Sequence, residues 1–255
     1  MKLIVNGDDF GFSPGQNLGI IKAHKDGILT STTALANGEY LLEGMEAAAL
    51  CPDLGIGVHL TMDLGKPVLP PLSVPSLVDE KGQFKKYQEH LPLVLNHHEL
   101  HAEWTAQIEK IRSLGVEPTH LDGHHHLHLH KDVIAVTMRL AMEYDLPIRY
   151  LPLYHGEEEI ELLKKHKIKM IQGLADFYND TVSEDYFLNF RSNHTFHDGD
   201  TVELMCHPAY VDDIIFRRSR YNVPRVKELV ILTSEVVRSS ILAQKIQLGN
   251  VRDFL

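Results

Sequence analysis

The sequence has 255 residues, 44% of them apolar and 24% charged, enough for one barrel-sized domain or two small ones with a sizeable core. A net charge of −10 argues against nucleic acid or an anionic membrane as a partner, and leaves neutral sugars and metal cations open. Cys51 and Cys206 lie far apart with no CxxC spacing, which excludes a disulfide scaffold or zinc ribbon and points to a reducing cytoplasm. The opening MKLIVNGDDFG carries no signal-peptide core, and no stretch is apolar enough to span a bilayer.

In chain order, Leu3 to Val5 reads as a buried strand opening into the polar stretch Asn6 to Gly11. Ser13-Pro14 looks like the cap and first residue of a helix that carries Leu18, Ile21 and Lys25 and stops near Gly27. The β-branched run from Ile28 to Asn37 predicts a second strand, and the Ala- and Leu-rich run from Glu39 to Leu50 a helix. A third strand, Gly55 to Met62, carries His59 near its end. Residues 63–98 form a long inserted loop region, with four prolines near its start and a turn at Lys81-Gly82. Asn96 and Glu99 then resemble a capping box, followed by a helix with Leu100, Trp104, Ile108 and Ile111 on one stripe, ending at Gly115.

Thr119 to Asp122 predicts a fourth strand that feeds a run of histidines, and Asp132 a helix cap. Pro147 to Leu153 predicts a fifth strand bearing Arg149, Glu157 to His166 a helix, and Ile168 to Ala175 a sixth strand. Part of Phe177 to Asp200 is read as helical. Val202 to Cys206 is the seventh strand, and a single last helix is expected from about Arg225 to Lys245, with Val226, Leu229, Thr233, Val236 and Ser240 on one face. This α/β alternation without a linker predicts one domain over 1–255, a parallel sheet closed as a β/α barrel of about seven units. The barrel is favoured over an open sheet because polar residues recur at the carboxyl ends of the strands, where barrels build active sites. No glycine-rich phosphate loop follows a strand, which weakens a nucleotide-binding reading.

Six of the 17 histidines fall between His120 and His130, in THLDGHHHLHLH. Imidazole is the commonest metal-binding side chain, so a metal site is expected, with ligands arriving from elsewhere as well. If the strand continues, Asp122, His124, His126 and His128 share a face; if a helix has begun, His124 and His128 lie one turn apart. Asp8 and Asp9 can divide labour between binding a metal and accepting a proton. His59 is a further candidate ligand. His207, held out of the helical region by Pro208, suits a general acid. Arg149, His126 and His128 are expected at the substrate, and Trp104 and Cys206 in the core. Arg217, Arg218 and Arg220 read as a solvated loop. Aromatic partners for a sugar are expected from Phe84, Tyr87, Tyr210 or Tyr221. Neither a GxSxG elbow nor a cysteine paired with a base is evident, so covalent catalysis is not expected.

NGDDFGFSPGQN, GVHLTM, THLDGHHHLH and ELMCHPAY, with GKPV and YNVPRVKEL, occur in the order seen in the YdjC-like carbohydrate deacetylases, and the resemblance runs nearly end to end. It is closest to the branch acting on chitin disaccharide and short chitooligosaccharides. Gly7 stands where the family usually has alanine, and Gly123 where serine is common. The resemblance implies an irregular β/α barrel and a divalent metal held by Asp9, His59 and His124, with Asp8 as catalytic base and His207 near the scissile group. The activity implied is hydrolytic removal of N-acetyl groups from small amino sugars in oligosaccharide and chitin breakdown, by a cytoplasmic homodimer. The family metal is magnesium; two imidazoles and one carboxylate suit zinc better. The rivals are a glycosidase or phosphoesterase on the same barrel, and a histidine-rich metal-binding protein without activity.

Overall fold

The computed structural model describes residues 1–86, 92–152 and 156–255. The strands are β1 Lys2–Phe10, β2 Ser31–Ala34, β3 Gly55–Leu60, β4 Leu121–Gly123, β5 Ile148–Tyr150, β6 Met170–Leu174, β7 Thr201–Cys206 and β8 Gln247–Leu248. The helices are α1 Pro14–Asp26, α2 Leu41–Ala48, α3 His97–Ser113, α4 Ile134–Tyr144, α5 Glu157–Lys165, α6 Glu184–Leu188, α7 Phe190–Asn193, α8 Asp213–Arg218, α9 Val223–Leu232, α10 Glu235–Ala243 and α11 Val251–Phe254. The strand order is β2-β3-β4-β5-β6-β7-β1-β8, with β1 also paired to β2. The fold is therefore the expected parallel β/α barrel. No helix among the described residues is long and apolar enough to cross a membrane.

The chain forms two compact units. The first comprises Met1–Thr33, Glu39–Gly55 and Gln172–Leu255. Here β1 lies parallel to β7, in a register from Lys2↔Thr201 to Gly7↔Cys206, and β7 is paired in turn with β6. Leu3, Ile4, Val5 and Phe10 are fully buried along β1, and Phe177, Phe187 and Phe190 form an aromatic cluster. Ser13 caps α1 by accepting from the Gln16 backbone N–H at 3.1 Å, with Pro14 as the first helical residue, as expected. Its inward face differs from expectation: Leu18 is exposed, while Gln16, Asn17, Gly19 and Ile20 are buried. Gly19 has no room for a side chain, since a Cβ there would lie 2.4 Å from the Ala209 Cα.

The long last helix is two helices. Thr233 turns its hydroxyl back to the Leu229 carbonyl at 2.8 Å and Ser234 takes extended backbone, so α9 ends and α10 begins. The buried face also differs from the predicted one. Val226 and Val236 are exposed, and Arg225, Glu228, Leu229, Val237 and Ile241 point inward. The basic cluster is partly helical rather than a loop. Asp212 caps α8, Arg217 pairs with Asp213, and Arg218 pairs with Glu39 at 2.9 Å.

The second unit comprises Ala34–Gly38 and Ile56–Ile171. Strand β4 lies parallel to β3, with His59 opposite Asp122 and Leu60 opposite Gly123, and Leu121 pairs with Ile148 of β5. Trp104, Ile108 and Ile111 of α3 are fully buried, as the stripe predicts. Asn96 caps α3, and Gly115, at φ 81°, follows its end. Asp132 does not cap α4; it accepts from the Leu93 backbone N–H at 2.9 Å. The chain leaving β3 is tied to α3 by polar groups. Trp104 and Gln107 both donate to the Thr61 carbonyl, at 3.1 and 2.8 Å, and Glu103 accepts from Val68 N–H and Leu69 N–H. Asn37 holds the same segment by donating to the carbonyls of Leu64 and Lys66. The turn at Lys81-Gly82 is present, with Gly82 at φ 69°. Tyr87 and the end of the predicted fifth strand, Leu153, lie outside the described residues.

Candidate active site

In the second unit the parallel register explains the first contact. His59 and Asp122 are directly opposed on neighbouring strands, so their side chains leave the same face. His59 Nδ1 donates to Asp122 Oδ1 at 2.7 Å. The other Asp122 oxygen pairs with Arg149 at 2.9 Å, and both residues are fully buried. Arg149 thus meets a carboxylate of its own chain, and His128 donates to the Arg149 carbonyl at 2.9 Å from a buried position. Two of the three residues expected at the substrate, Arg149 and His128, form a layer behind Asp122.

The histidine run is neither strand nor helix beyond Gly123. It forms tight helical turns from His124 to Leu129, interrupted at His125 and His126, which sit at φ 51° and 57°. Left-handed backbone at a residue other than glycine costs about 1–3 kcal/mol, and the turn sends successive imidazoles in different directions. His124 Nδ1 donates to Asp63 Oδ1 at 2.7 Å, and His125 Nδ1 donates to Asp63 Oδ2 at 2.6 Å. Burial pushes the Asp63 carboxyl up, but the neighbouring charge and hydrogen bonds of His124, together with those of His125, hold it well below the usual carboxylate range. The rings of His59 and His124 stand 6.0 Å apart, nearly perpendicular. His126 is half-buried. A cavity of about 290 Å³ opens beside Asp63, walled by Met62, Leu77, Leu93 and Leu127.

Both candidate ligand histidines therefore give Nδ1 to a carboxylate, so Nε2 is the nitrogen a metal would use. Carboxylates in this role fix the tautomer and the ring plane of metal-binding histidines. The donor set fits a divalent ion. Asp63, His124 and His125 also form a group whose ligating atoms lie within 4.8 Å of one another.

In the first unit, Asp8 and Asp9 end β1, both buried. Two adjacent residues in regular strand would point apart, but Asp9 sits at φ 66° and the Phe12 backbone N–H donates to its carbonyl at 3.0 Å. The strand turns at Asp9, and each carboxylate finds its own partner. Asp8 accepts from Asn6 Nδ2 at 2.8 Å, and Asn6 in turn reaches Thr33 at 3.1 Å. Asp9 pairs with Arg225 at 2.9 Å through Oδ2. Arg225 also donates to Gln16 at 2.6 Å and to the Tyr221 carbonyl at 2.7 Å.

His207 follows β7, one residue beyond the last pair of the β1–β7 register, Gly7↔Cys206. Its backbone N–H donates to Glu228, which also accepts from the Tyr221 hydroxyl. Burial pushes the Glu228 carboxyl up to about 8, against these hydrogen bonds and the nearby charge of Arg225. The Tyr221 hydroxyl is pushed far up, by burial first and then by Glu228. Of the aromatic residues expected at a sugar, Tyr221 and Phe84 are buried and Tyr210 is exposed.

Nothing local in the sequence singles out Asp63, Arg225 or Glu228. Asp63 stands four residues after His59, at the head of what read as loop. Arg225 and Glu228 stand within YNVPRVKEL, where a helical reading assigns charged residues to solvent.

A parallel β/α barrel with Asp/His groups suited to a divalent ion at the ends of its strands defines the class of protein. The comparisons agree and narrow it. The family model described as YdjC-like protein matches residues 2–243, and the chain belongs to that family. A carbohydrate deacetylase of Enterococcus faecalis V583 is 40% identical, over 98% of this chain and 96% of its own. A chitooligosaccharide deacetylase of Salmonella paratyphi C is 35% identical, over 98% of each chain. A crystal structure from Enterococcus faecalis V583, of a protein named as a candidate for cellobiose-phosphate cleavage, superposes with a TM-score of 0.91 at 40% identity, covering 99% of this chain and 98% of that one. The lactam utilization protein of Thermus thermophilus, at 16% identity and TM-score 0.57 over 98% and 99% of the two chains, shares the fold.

Proposed function

We propose that this chain is a metal-dependent carbohydrate deacetylase that hydrolyses the N-acetyl group of small amino sugars such as chitobiose and chitooligosaccharides. The observation that carries the reading is the pair of histidines, His59 and His124, each held through Nδ1 by a buried carboxylate at 2.7 Å. The names of the curated relatives support the same chemistry. Asp9, His59 and His124 are the proposed ligands. A divalent ion bound there supplies positive charge that polarises the acetamide carbonyl and acidifies water.

Asp8 takes the proton of the attacking water, and its bond from Asn6 aims the carboxylate. Asp9 keeps its orientation through Arg225. His207 gives a proton to the departing amine, with its backbone fixed by Glu228. Arg149 acts behind the site, by neutralising Asp122 so that His59 stays aligned. Products are acetate and a free amino sugar. Magnesium is the metal that the family resemblance implies, and zinc is the one that the imidazole ligands favour. Assembly as a homodimer belongs to the same reading, and sedimentation of the purified chain checks it.

The test is acetate release from N-acetylated mono- and oligosaccharides after chelation and re-addition of magnesium or zinc singly. Acetate release lost on chelation and restored by one metal is the expected result. A chelator-insensitive protein that cleaves the glycosidic linkage instead would sink the reading and favour the glycosidase alternative. The name of the Enterococcus faecalis crystal structure favours that alternative.

A further inference from the structure

We propose that Tyr178 is the sugar-holding wall of the site, its ring backed by Tyr221 and laid against the apolar face of the pyranose whose amine leaves at His207. This rests on the deacetylase reading. Tyr178 is 37% exposed, yet it is built in rather than loose. Its ring stacks on Tyr221 at 4.0 Å between centroids and 9° between planes. Tyr221 is itself immobilised, because its hydroxyl donates to the fully buried Glu228. The same carboxylate accepts from the His207 backbone, so the ring pair and the imidazole hang from one anchor.

The backbone of Tyr178 is fixed as well. Its N–H donates to Thr181 Oγ1 at 2.8 Å, and the next residue, Asn179, turns the chain at φ 54°. A side chain in that setting keeps its direction without a ligand, so little ordering entropy remains to be lost when a sugar binds. His207 meets both rings edgewise, at 6.1 Å from Tyr178 and 5.5 Å from Tyr221. A pyranose has an apolar face of C–H groups and a rim of hydroxyls. The negative face of an aromatic ring attracts the C–H side, and a ring beside the proton donor sets which sugar carbon meets it. The sugar unit selected is the one that carries the acetamide. The wall recognises a pyranose ring, not the acetyl group, and so distinguishes acetylated sugars from other acetamides.

Steady-state kinetics with diacetylchitobiose on the metal-loaded enzyme tests this with Tyr178→Ala and Tyr178→Phe. Tyr178→Ala is expected to raise KM about tenfold with kcat changed less than about twofold, the upper range of one aromatic contact, and Tyr178→Phe is expected to restore KM. An unchanged KM in Tyr178→Ala, a Phe variant as impaired as Ala, or a fall in kcat and Tm without a KM effect would each overturn the proposal. Should the wild-type chain release acetate from no N-acetylated sugar, the deacetylase reading fails separately. Calorimetric titration with diacetylchitobiose then decides the wall. Binding weakened only in the Ala variant supports it, and equal binding, or none to wild type, removes it.

Discussion

Replacing Asp122 with asparagine separates the charge of the layer behind His59 from its shape. The asparagine would still accept from His59 Nδ1, so the imidazole keeps its tautomer, but its amide would face Arg149 with no negative charge to offer. Arg149 and Asp122 are both fully buried and 2.9 Å apart. Breaking a buried pair by removing one partner costs about 3–5 kcal/mol, because the other charge is left uncompensated. For a chain of this size that corresponds to a Tm lower by about 6–20 °C. Thermal and urea unfolding of Asp122→Asn, Arg149→Met and the double variant, all in chelator, measures it without any contribution from metal. The double variant should be much less destabilised than the two singles summed, since it leaves no lone buried charge. Singles that add within about 0.5 kcal/mol would refute the coupling on which the reading of Arg149 rests. In the same variants, divalent-ion affinity should fall about 10–100-fold in Asp122→Asn through the loosened His59.

The proposed division of labour at the end of β1 predicts that Asp8→Asn keeps metal binding and loses acetate release, whereas Asp9→Asn loses metal; calorimetric titration beside an acetate assay reads both, and normal deacetylation in either variant contradicts its role. Glu228 has a folded carboxyl raised to about 8 by burial, so the folded state holds its proton while the unfolded chain releases it at ordinary carboxylate pH. Its contribution to stability is then full below about pH 4.5 and is lost as pH rises through about 8, a change of up to roughly 5 kcal/mol. Glu228→Gln should flatten that decline in urea unfolding run at several pH values; an unaltered slope shows that Glu228 is ionised throughout. In Gly123→Ser a Cβ would lie 2.8 Å from His128 Nδ1, so a cost of about 1–3 kcal/mol in urea unfolding is expected unless His128 can shift.

Most strands and helices were legible because apolar runs and caps are local signals. Ser13-Pro14 and Asn96 each started a helix where their chemistry requires one. The failures have two causes. The final helix reads as continuous because Val226, Leu229, Thr233, Val236 and Ser240 keep a helical period, but Thr233 and Ser234 are residues that bond their own backbone and end helices. Leu18 and Val226 fell on the wrong side for another reason: the inward faces of α1 and α9 are partly polar, with Gln16, Asn17, Arg225 and Glu228 buried among strand ends. A rule that sends charge to solvent inverts such a helix.

That inversion also hid half of the site. A functional side chain has to be held, and its holder must be polar, buried and already satisfied. The sequence advertises the candidate reacting residues, because a doubled aspartate and a run of histidines are rare. It conceals the holders, because Glu228 at a helical position looks like any surface glutamate. What separates them is pairing over distance: Arg225 to Asp9 across 216 positions, Glu228 to His207 across 21, His124 to Asp63 across 61. Periodicity sees separations of three, four or seven residues, so these partners lie beyond it. The family motifs carry the information indirectly. YNVPRVKEL matched as a string, without a role for either charge, and the fold supplies the role by bringing that turn of α9 against β1 and the His207 backbone. An arginine and a glutamate three apart in a helix whose apolar stripe is incomplete therefore merit testing as an inward pair, and Arg225→Met with Glu228→Gln is the variant in which that inward face becomes measurable.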